Sequence, residues 1–252
     1  MSIPAERALT VYVDKRELVT LMTLGAHPEL LVLGYLRNQR LVNSPEQIES
    51  ITVDWDVGAA AVKTRTGIDD IEEKTARRVV TTGCGQGSVF GGLMDDVDQL
   101  VLPKDIRITQ RQLYSVVNTI RLEETTYKSA GSVHACALFQ LGGDEPKMLL
   151  FVEDVGRHNA IDTIAGWLAM NEITSPGLVF YTTGRLTSEM VIKSAQMGVP
   201  IVVSRSGITQ MGHQIAQTVG LCAIGRATNK RFVCYASPER LQLEPQARVN
   251  HG

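Results

Sequence analysis

From Ser132 onward, short apolar runs alternate with stretches of helical spacing, and this alternation limits the fold more than any other feature of the sequence. Val133–Gln140, Met148–Val152, Leu178–Thr182, Ile201–Ser204 and Leu221–Ile224 read as strands. Ala160–Met170, Ser188–Met197 and Thr209–Val219 read as helices. Strands and helices that alternate with short links predict a layered α/β fold with a mostly parallel central portion.

The first half is less regular. Ala8–Val13, Leu18–Thr23, Ile48–Val53 and Ala59–Thr66 are strand candidates, the last two separated by a turn near Gly58. Pro28–Gln39 looks helical, since Pro28 suits a first turn and Leu30, Leu31, Leu33, Gly34 and Leu36 crowd one side. Thr109 is placed to cap a helix over Gln110–Glu123, with Leu113, Val116, Val117 and Ile120 at helical spacing. Between these elements, Thr81–Gly92 holds glycines at 83, 85, 87, 91 and 92, a density that predicts a mobile loop. Only the tail after Glu244 looks loose.

With 252 residues the chain can bury a large core, as one α/β domain or two unequal ones. Its formal net charge of -2 gives no global basic field, so nucleic acid and anionic membrane are not expected partners. No apolar run approaches the roughly 20 residues that span a bilayer. The first residues carry Glu6 and Asp14 and lack a signal-peptide pattern, so a cytoplasmic location with reduced thiols is expected. The four cysteines, Cys84, Cys136, Cys222 and Cys234, form no C-x-x-C pair, which excludes a zinc ribbon and a dithiol motif of that spacing. Cysteine chemistry here uses single thiols.

Cys84 lies in Thr81-Thr82-Gly83-Cys84-Gly85-Gln86-Gly87-Ser88. A sulfur carrier needs a thiolate that attacks a donor's sulfur, holds it as a persulfide and delivers it elsewhere, and flanking glycines give the reach. The alternative is a buried cysteine beside a glycine turn, although Thr, Gly, Gln and Ser supply few apolar neighbours. Cys222 and Cys234, in apolar segments, read as core residues. Cys136, two residues after His134 on the same side of a strand, reads as packed rather than as an activated nucleophile.

Three polar segments complete the candidate chemistry. Glu153-Asp154-Val155-Gly156-Arg157-His158-Asn159 sits between a strand and a helix, where open α/β sheets place ligands. There Asp154 is expected to orient or charge His158, Arg157 to take a phosphate, and Asn159 or Asp154 to cap the helix. Thr182–Glu189, with Arg185, repeats the arrangement at a second helix start. Arg226-Ala227-Thr228-Asn229-Lys230-Arg231 follows the last apolar strand with three cations. A capping and salt-bridge network accounts for the first segment without function, and a plain β-turn for the third. All three at strand ends together favour a nucleotide or phosphorylated-cofactor site.

These residues carry a resemblance. Glu153 to Asp162 is similar to the signature E-D-V-G-R-H-N-A-x-D of the FdhD formate dehydrogenase accessory sulfurtransferases, and Thr183–Lys193 to their S-G-R-x-S-x-E-M-V-x-K. Gly131–Ala137, Pro28–Leu36 and Pro238–Leu241 resemble further motifs of the family, so the likeness spans nearly the whole chain. It implies a cytidine-deaminase-like layered sheet with helices on its faces, plus a smaller N-terminal α+β subdomain. The expected division is residues 1–80 for the smaller part, 81–100 for the mobile cysteine loop, 101–244 for the α/β cofactor-binding domain and 245–252 for the tail.

The resemblance also implies an activity. Family members act as homodimers, receive persulfide sulfur from a cysteine desulfurase, and pass it to the bis(molybdopterin guanine dinucleotide) molybdenum cofactor destined for formate dehydrogenase. GDP-like nucleotides would be partial mimics of that ligand, and no protein-held metal is implied. Cys84 matches the first cysteine of the family's T-G-C-G-x-C-G and would carry the persulfide. By spacing from Gly225 to Phe232 and Tyr235, the family's cofactor-binding stretch falls on Arg226, Ala227, Thr228, Asn229, Lys230 and Arg231, with Arg157, His158 and Arg185 as further candidates. Where the family has a second loop cysteine, this chain has Gly87. A cofactor-binding chaperone without persulfide transfer is therefore the alternative. A zinc deaminase, hinted at by His27-Pro28-Glu29, would need two more thiolates that no P-C-x-x-C supplies.

Overall fold

The computed structural model describes residues 3–69, 71, 79–80, 87–88, 97–123, 129–143, 145–174 and 176–245. Cys84 and most of segment 81–100 lie outside these residues, as does the tail from 246 onward.

The N-terminal part is a four-stranded sheet with one helix. Strands β1 (Arg7–Val13) and β2 (Arg16–Thr23) form a hairpin through Asp14 and Lys15, whose φ angles of 47° and 73° match the twist that tight hairpins require. Helix α1 (Pro28–Asn38) starts on its proline. Strands β3 (Ile48–Asp54) and β4 (Ala59–Thr64) pair antiparallel, and β4 runs parallel to β1, giving the order β2-β1-β4-β3. Alternation along the strands sends Leu9, Val11 and Leu21 to one face, where Leu31, Val32 and Leu36 of α1 complete a core.

Short strands β5 (Val79–Val80) and β6 (Gly87–Ser88) pair antiparallel. Strand β7 (Ile108–Thr109) leads into helix α2 (Gln110–Leu122). There Thr109 accepts from the Gln112 amide at 3.1 Å while the Gln112 side chain accepts from the Thr109 amide at 3.0 Å. This reciprocal capping box fixes the helix start that the sequence predicts.

The main sheet follows: β8 (His134–Gln140), β9 (Lys147–Asp154), helix α3 (Arg157–Met170), β10 (Leu178–Thr182), helix α4 (Ser188–Gln196), β11 (Ile201–Ser204), helix α5 (Gln210–Val219), β12 (Cys222–Thr228) and β13 (Arg231–Ala236). A last short strand, β14 (Leu241–Gln242), pairs with β7. The order is β13-β12-β11-β10-β8-β9, with β10, β11 and β12 parallel and the flanking strands antiparallel. One face packs Leu138, Phe180 and Val202 against Ile161, Val191 and Ile215 of α3, α4 and α5. The other packs Phe139, Val179 and Val203 against Leu113, Val116 and Ile120 of α2. Each such apolar side chain withdrawn from water contributes about 1.5–3 kcal/mol. This is the layered α/β sheet with helices on both faces and a smaller N-terminal α+β part that the resemblance implied.

Two glycines bring the parts together. A Cβ on Gly34 of α1 would stand 1.7 Å from the Asp162 carbonyl oxygen of α3, and one on Gly166 would stand 2.0 Å from the Leu30 carbonyl oxygen. The helices therefore approach backbone to backbone, which side chains at these positions would forbid.

Two expectations change. Helix α3 begins at Arg157 rather than Ala160, with Gly156 as its N-cap, so Asn159 lies in the first turn and is not the cap. Strand β12 runs on to Thr228 instead of stopping at Ile224, so Arg226–Thr228 are strand residues and the following segment is a hairpin turn. Polar residues there hid an edge hairpin that needs no apolar alternation on its solvent side.

Candidate functional site

Helix α2 and the β12–β13 hairpin face each other across a cavity of about 910 Å³. The hairpin supplies Thr228, Asn229, Lys230 and Arg231, and α2 supplies Arg111, Tyr114, Asn118 and Arg121. A two-residue turn at Asn229 and Lys230 joins the paired ends Thr228 and Arg231, and Asn229 takes φ 51°, a conformation that asparagine tolerates. The Tyr114 hydroxyl donates to the Lys230 carbonyl at 3.3 Å and accepts from the Gln110 amide at 3.1 Å. The Tyr114 ring meets Phe232 at 6.0 Å between centroids, tilted by 58°. These contacts set the width of the cleft.

A smaller cavity of about 200 Å³ adjoins the first, sharing Val117, Arg121, Thr228 and Asn229 with it. Its further lining includes Thr183, Arg205 and Ala227, at the carboxyl ends of β10, β11 and β12. Those ends are braced: the Arg226 amide donates to the Ser206 carbonyl at 2.8 Å, the Ser206 hydroxyl to the Thr183 carbonyl at 2.8 Å, and the Ser204 hydroxyl to the Gly184 carbonyl at 2.6 Å. Gly225 permits the hairpin's approach, because a Cβ there would meet the Ser206 carbonyl oxygen at 2.8 Å. Arg226, Lys230 and Arg231 are exposed and make no ion pair among the described residues. A groove lined by four guanidinium or ammonium side chains, Arg111, Arg121, Lys230 and Arg231, against the carboxylate of Glu145, and ending at strand termini, suits a ligand with several phosphates.

Of the expected residues, Ala227, Thr228, Asn229, Lys230 and Arg231 gather at this groove and Thr183 of the second segment joins them, whereas the exposed Arg226 lines neither cavity. Arg157, His158 and Arg185 line neither cavity. Arg185 is exposed, Arg157 is 5% exposed with its side chain against Gly184, and His158 is 1% exposed.

Asp154 does not orient His158. Its carboxylate accepts from the Thr23 hydroxyl, the Leu24 amide at 3.1 Å, the Gly156 amide at 3.0 Å and the Asn159 side chain at 2.7 Å. With Asn159 donating also to the Met22 carbonyl at 2.6 Å, this end of the segment clamps β2 to α3. His158 instead faces Glu189 of α4 at 3.5 Å. Burial pushes the imidazole down to about 3, so it is neutral near pH 7. Glu189 also meets Lys193 at 3.3 Å, and Lys193 meets Asp162 at 2.9 Å. Burial would raise Glu189, but Lys193 and His158 hold it low. Burial would lower Lys193, but Asp162 and Glu189 hold it high. Burial pushes Asp162 up, while donors from Lys193 and Asn38 suit its ionised form. The start of α4 thus already carries a buried carboxylate.

Burial, followed by the nearby Arg157 and Arg185, lowers the half-buried His134. Cys136 is fully buried, donates to the Thr182 hydroxyl at 3.3 Å and is pushed up to about 12 by burial, as a packed thiol should be. Cys222 is core, whereas Cys234 is only partly buried. No three His, Cys, Asp or Glu side chains among the described residues are disposed to hold a metal ion. No helix among them is long and apolar enough to cross a membrane. The residues that sequence reasoning missed are Arg111, Tyr114, Asn118 and Arg121, whose three- and four-residue spacing is a polar helical stripe opposite the apolar one.

The chain is 30% identical over 238 residues to the sulfur carrier protein FdhD of Bacillus subtilis, which covers 94% of this chain and 89% of that one. It is 28% identical over 241 residues to the protein of the same name from Staphylococcus haemolyticus, covering 96% and 90%. The crystal structure of a protein from Desulfotalea psychrophila, described as a formate dehydrogenase accessory protein, superposes with a TM-score of 0.74 at 22% identity, over 95% of this chain and 90% of that one, a likeness of fold. Residues 4–242 match the FdhD/NarQ family, and the chain belongs to that family.

Proposed function

We propose that this protein is a sulfur carrier for formate dehydrogenase maturation. It accepts persulfide sulfur from a cysteine desulfurase on Cys84 and passes it to the bis(molybdopterin guanine dinucleotide) molybdenum cofactor, its substrate, working in the cytoplasm as a homodimer. Support comes from the family and from the names of its relatives, sulfur carrier proteins and a formate dehydrogenase accessory protein. The observation that carries the reading is the cation-walled groove between α2 and the β12–β13 hairpin.

Lys230, Arg231, Arg111 and Arg121 hold the diphosphates, with charge-assisted hydrogen bonds stronger than neutral ones. Thr183 and Arg205 receive the part of the ligand that reaches the strand ends. The thiolate of Cys84 attacks the outer sulfur of the donor persulfide, the donor's S–S bond breaks, and the donor thiolate leaves. Arg157, His158 and Arg185 support the sheet end beneath the ligand. Calorimetry with GDP tests the groove: binding that weakens with added salt is expected, and no heat would remove the anchor.

A second reading rests on Gly87, which stands where the family carries its second loop cysteine. The groove works without a thiol, so a chaperone that binds the cofactor and transfers no sulfur would keep the same cations.

A further inference from the structure

Two thiols with no part in the groove stand together at the base of the β12–β13 hairpin. The ladder sets Ile224 opposite Cys234, and Cys222, two residues before Ile224, projects from the same face of the sheet. Both pack in the layer beneath α2, Cys222 within it and Cys234 at its border. The thiols stand close enough for each to shift the other's ionisation, and Cys234 donates to the Ala236 carbonyl at 3.5 Å. Cys222 is fully buried and Cys234 partly exposed.

We propose that Cys222 and Cys234 form a reactive dithiol, a modification site that takes a low-molecular-weight disulfide as oxidant and closes to a disulfide between β12 and β13. Cys234 loses its proton to solvent, and its thiolate attacks one sulfur of the reagent. The reagent's S–S bond breaks and one thiolate leaves. Cys222 then loses its proton, attacks the Cys234 sulfur and expels the second thiolate. The two protein thiols lose two electrons and the reagent becomes two thiols.

Burial sets the order, since only Cys234 is open to the reagent. Their proximity works the same way: it lowers Cys234, and together with burial it raises Cys222. Arg226–Thr228 continue one of these strands and Arg231 begins the other, so the bond staples the hairpin that carries the groove's cations.

The test is to incubate the full chain with oxidised glutathione, alkylate the remaining thiols, and map the products by mass spectrometry. The Cys84→Ser variant, which removes the loop thiol, should lose two hydrogens, retain no glutathione, and yield one cross-linked peptide pair joining Cys222 to Cys234, and the wild type should yield the same pair whatever Cys84 carries. Cys222→Ala should instead keep glutathione on Cys234, and Cys234→Ser should leave Cys222 unreacted. Wild-type protein in which both thiols are still alkylated, in which glutathione stays on Cys234, or in which Cys234 joins another cysteine overturns the proposal, whether or not the variants fold.

Discussion

Lys193 on α4 donates to one oxygen of Asp162 at 2.9 Å, while Asn38 on α1 donates to the other at 2.7 Å, and all three side chains are buried. A single carboxylate thus ties three helices from both parts of the molecule. The family-like motifs around Asp162 and Lys193 serve this junction through contacts within the protein. Lys193→Met would leave the Asp162 and Glu189 carboxylates buried without their ammonium, so it should cost about 3–5 kcal/mol in urea denaturation. A loss under about 1 kcal/mol would mean that the junction does not depend on the ion pair.

His158 makes stability pH-dependent. Its folded value of about 3 lies below the ordinary 6.5, so between these values the unfolded chain binds the extra proton and stability falls as pH falls. Between pH 7 and pH 5 the wild type should lose about 1–2 kcal/mol that a His158→Gln variant does not. Parallel pH profiles of the two proteins would refute this.

Gly34→Ala drives a methyl group into the Asp162 backbone. The α1–α3 approach should open, with a loss of about 3 kcal/mol or more. Gly142→Ala, at a position with nothing within 4 Å, should change stability by no more than about 0.5 kcal/mol in the same thermal melts.

In the groove, Arg231→Ala and Arg121→Ala should each weaken GDP binding by about 1.5–3 kcal/mol in calorimetry. The prediction for Arg121 depends on the fold alone, since the sequence motifs single out only the hairpin. Unchanged affinity in both variants would move the phosphates to Arg157 and Arg185.

Legibility in the sequence followed the range of the interactions. The capping box of Thr109 and Gln112 and the apolar spacing of Leu113, Val116 and Ile120 are local, and α2 falls within one residue of expectation. The hydroxyl of Thr23 and the carboxylate of Asp154 are 131 residues apart, so no local pattern revealed that Asp154 clamps the two parts instead of serving His158. Likewise no local pattern marked Arg111 and Arg121, which the fold sets opposite Lys230 and Arg231. The β12–β13 hairpin escaped because its polar residues carry the strand past its apolar run.

Sulfur loading of Cys84 is the central claim. The most direct measurement is the intact mass of the chain after incubation with a cysteine desulfurase and cysteine, followed by peptide mapping. The wild type should gain one sulfur atom at Cys84 that reducing agent removes, and Cys84→Ser should gain none. Equal loading of the Cys84→Ser variant at another cysteine, or no added sulfur on the wild type, would contradict the sulfur-carrier function.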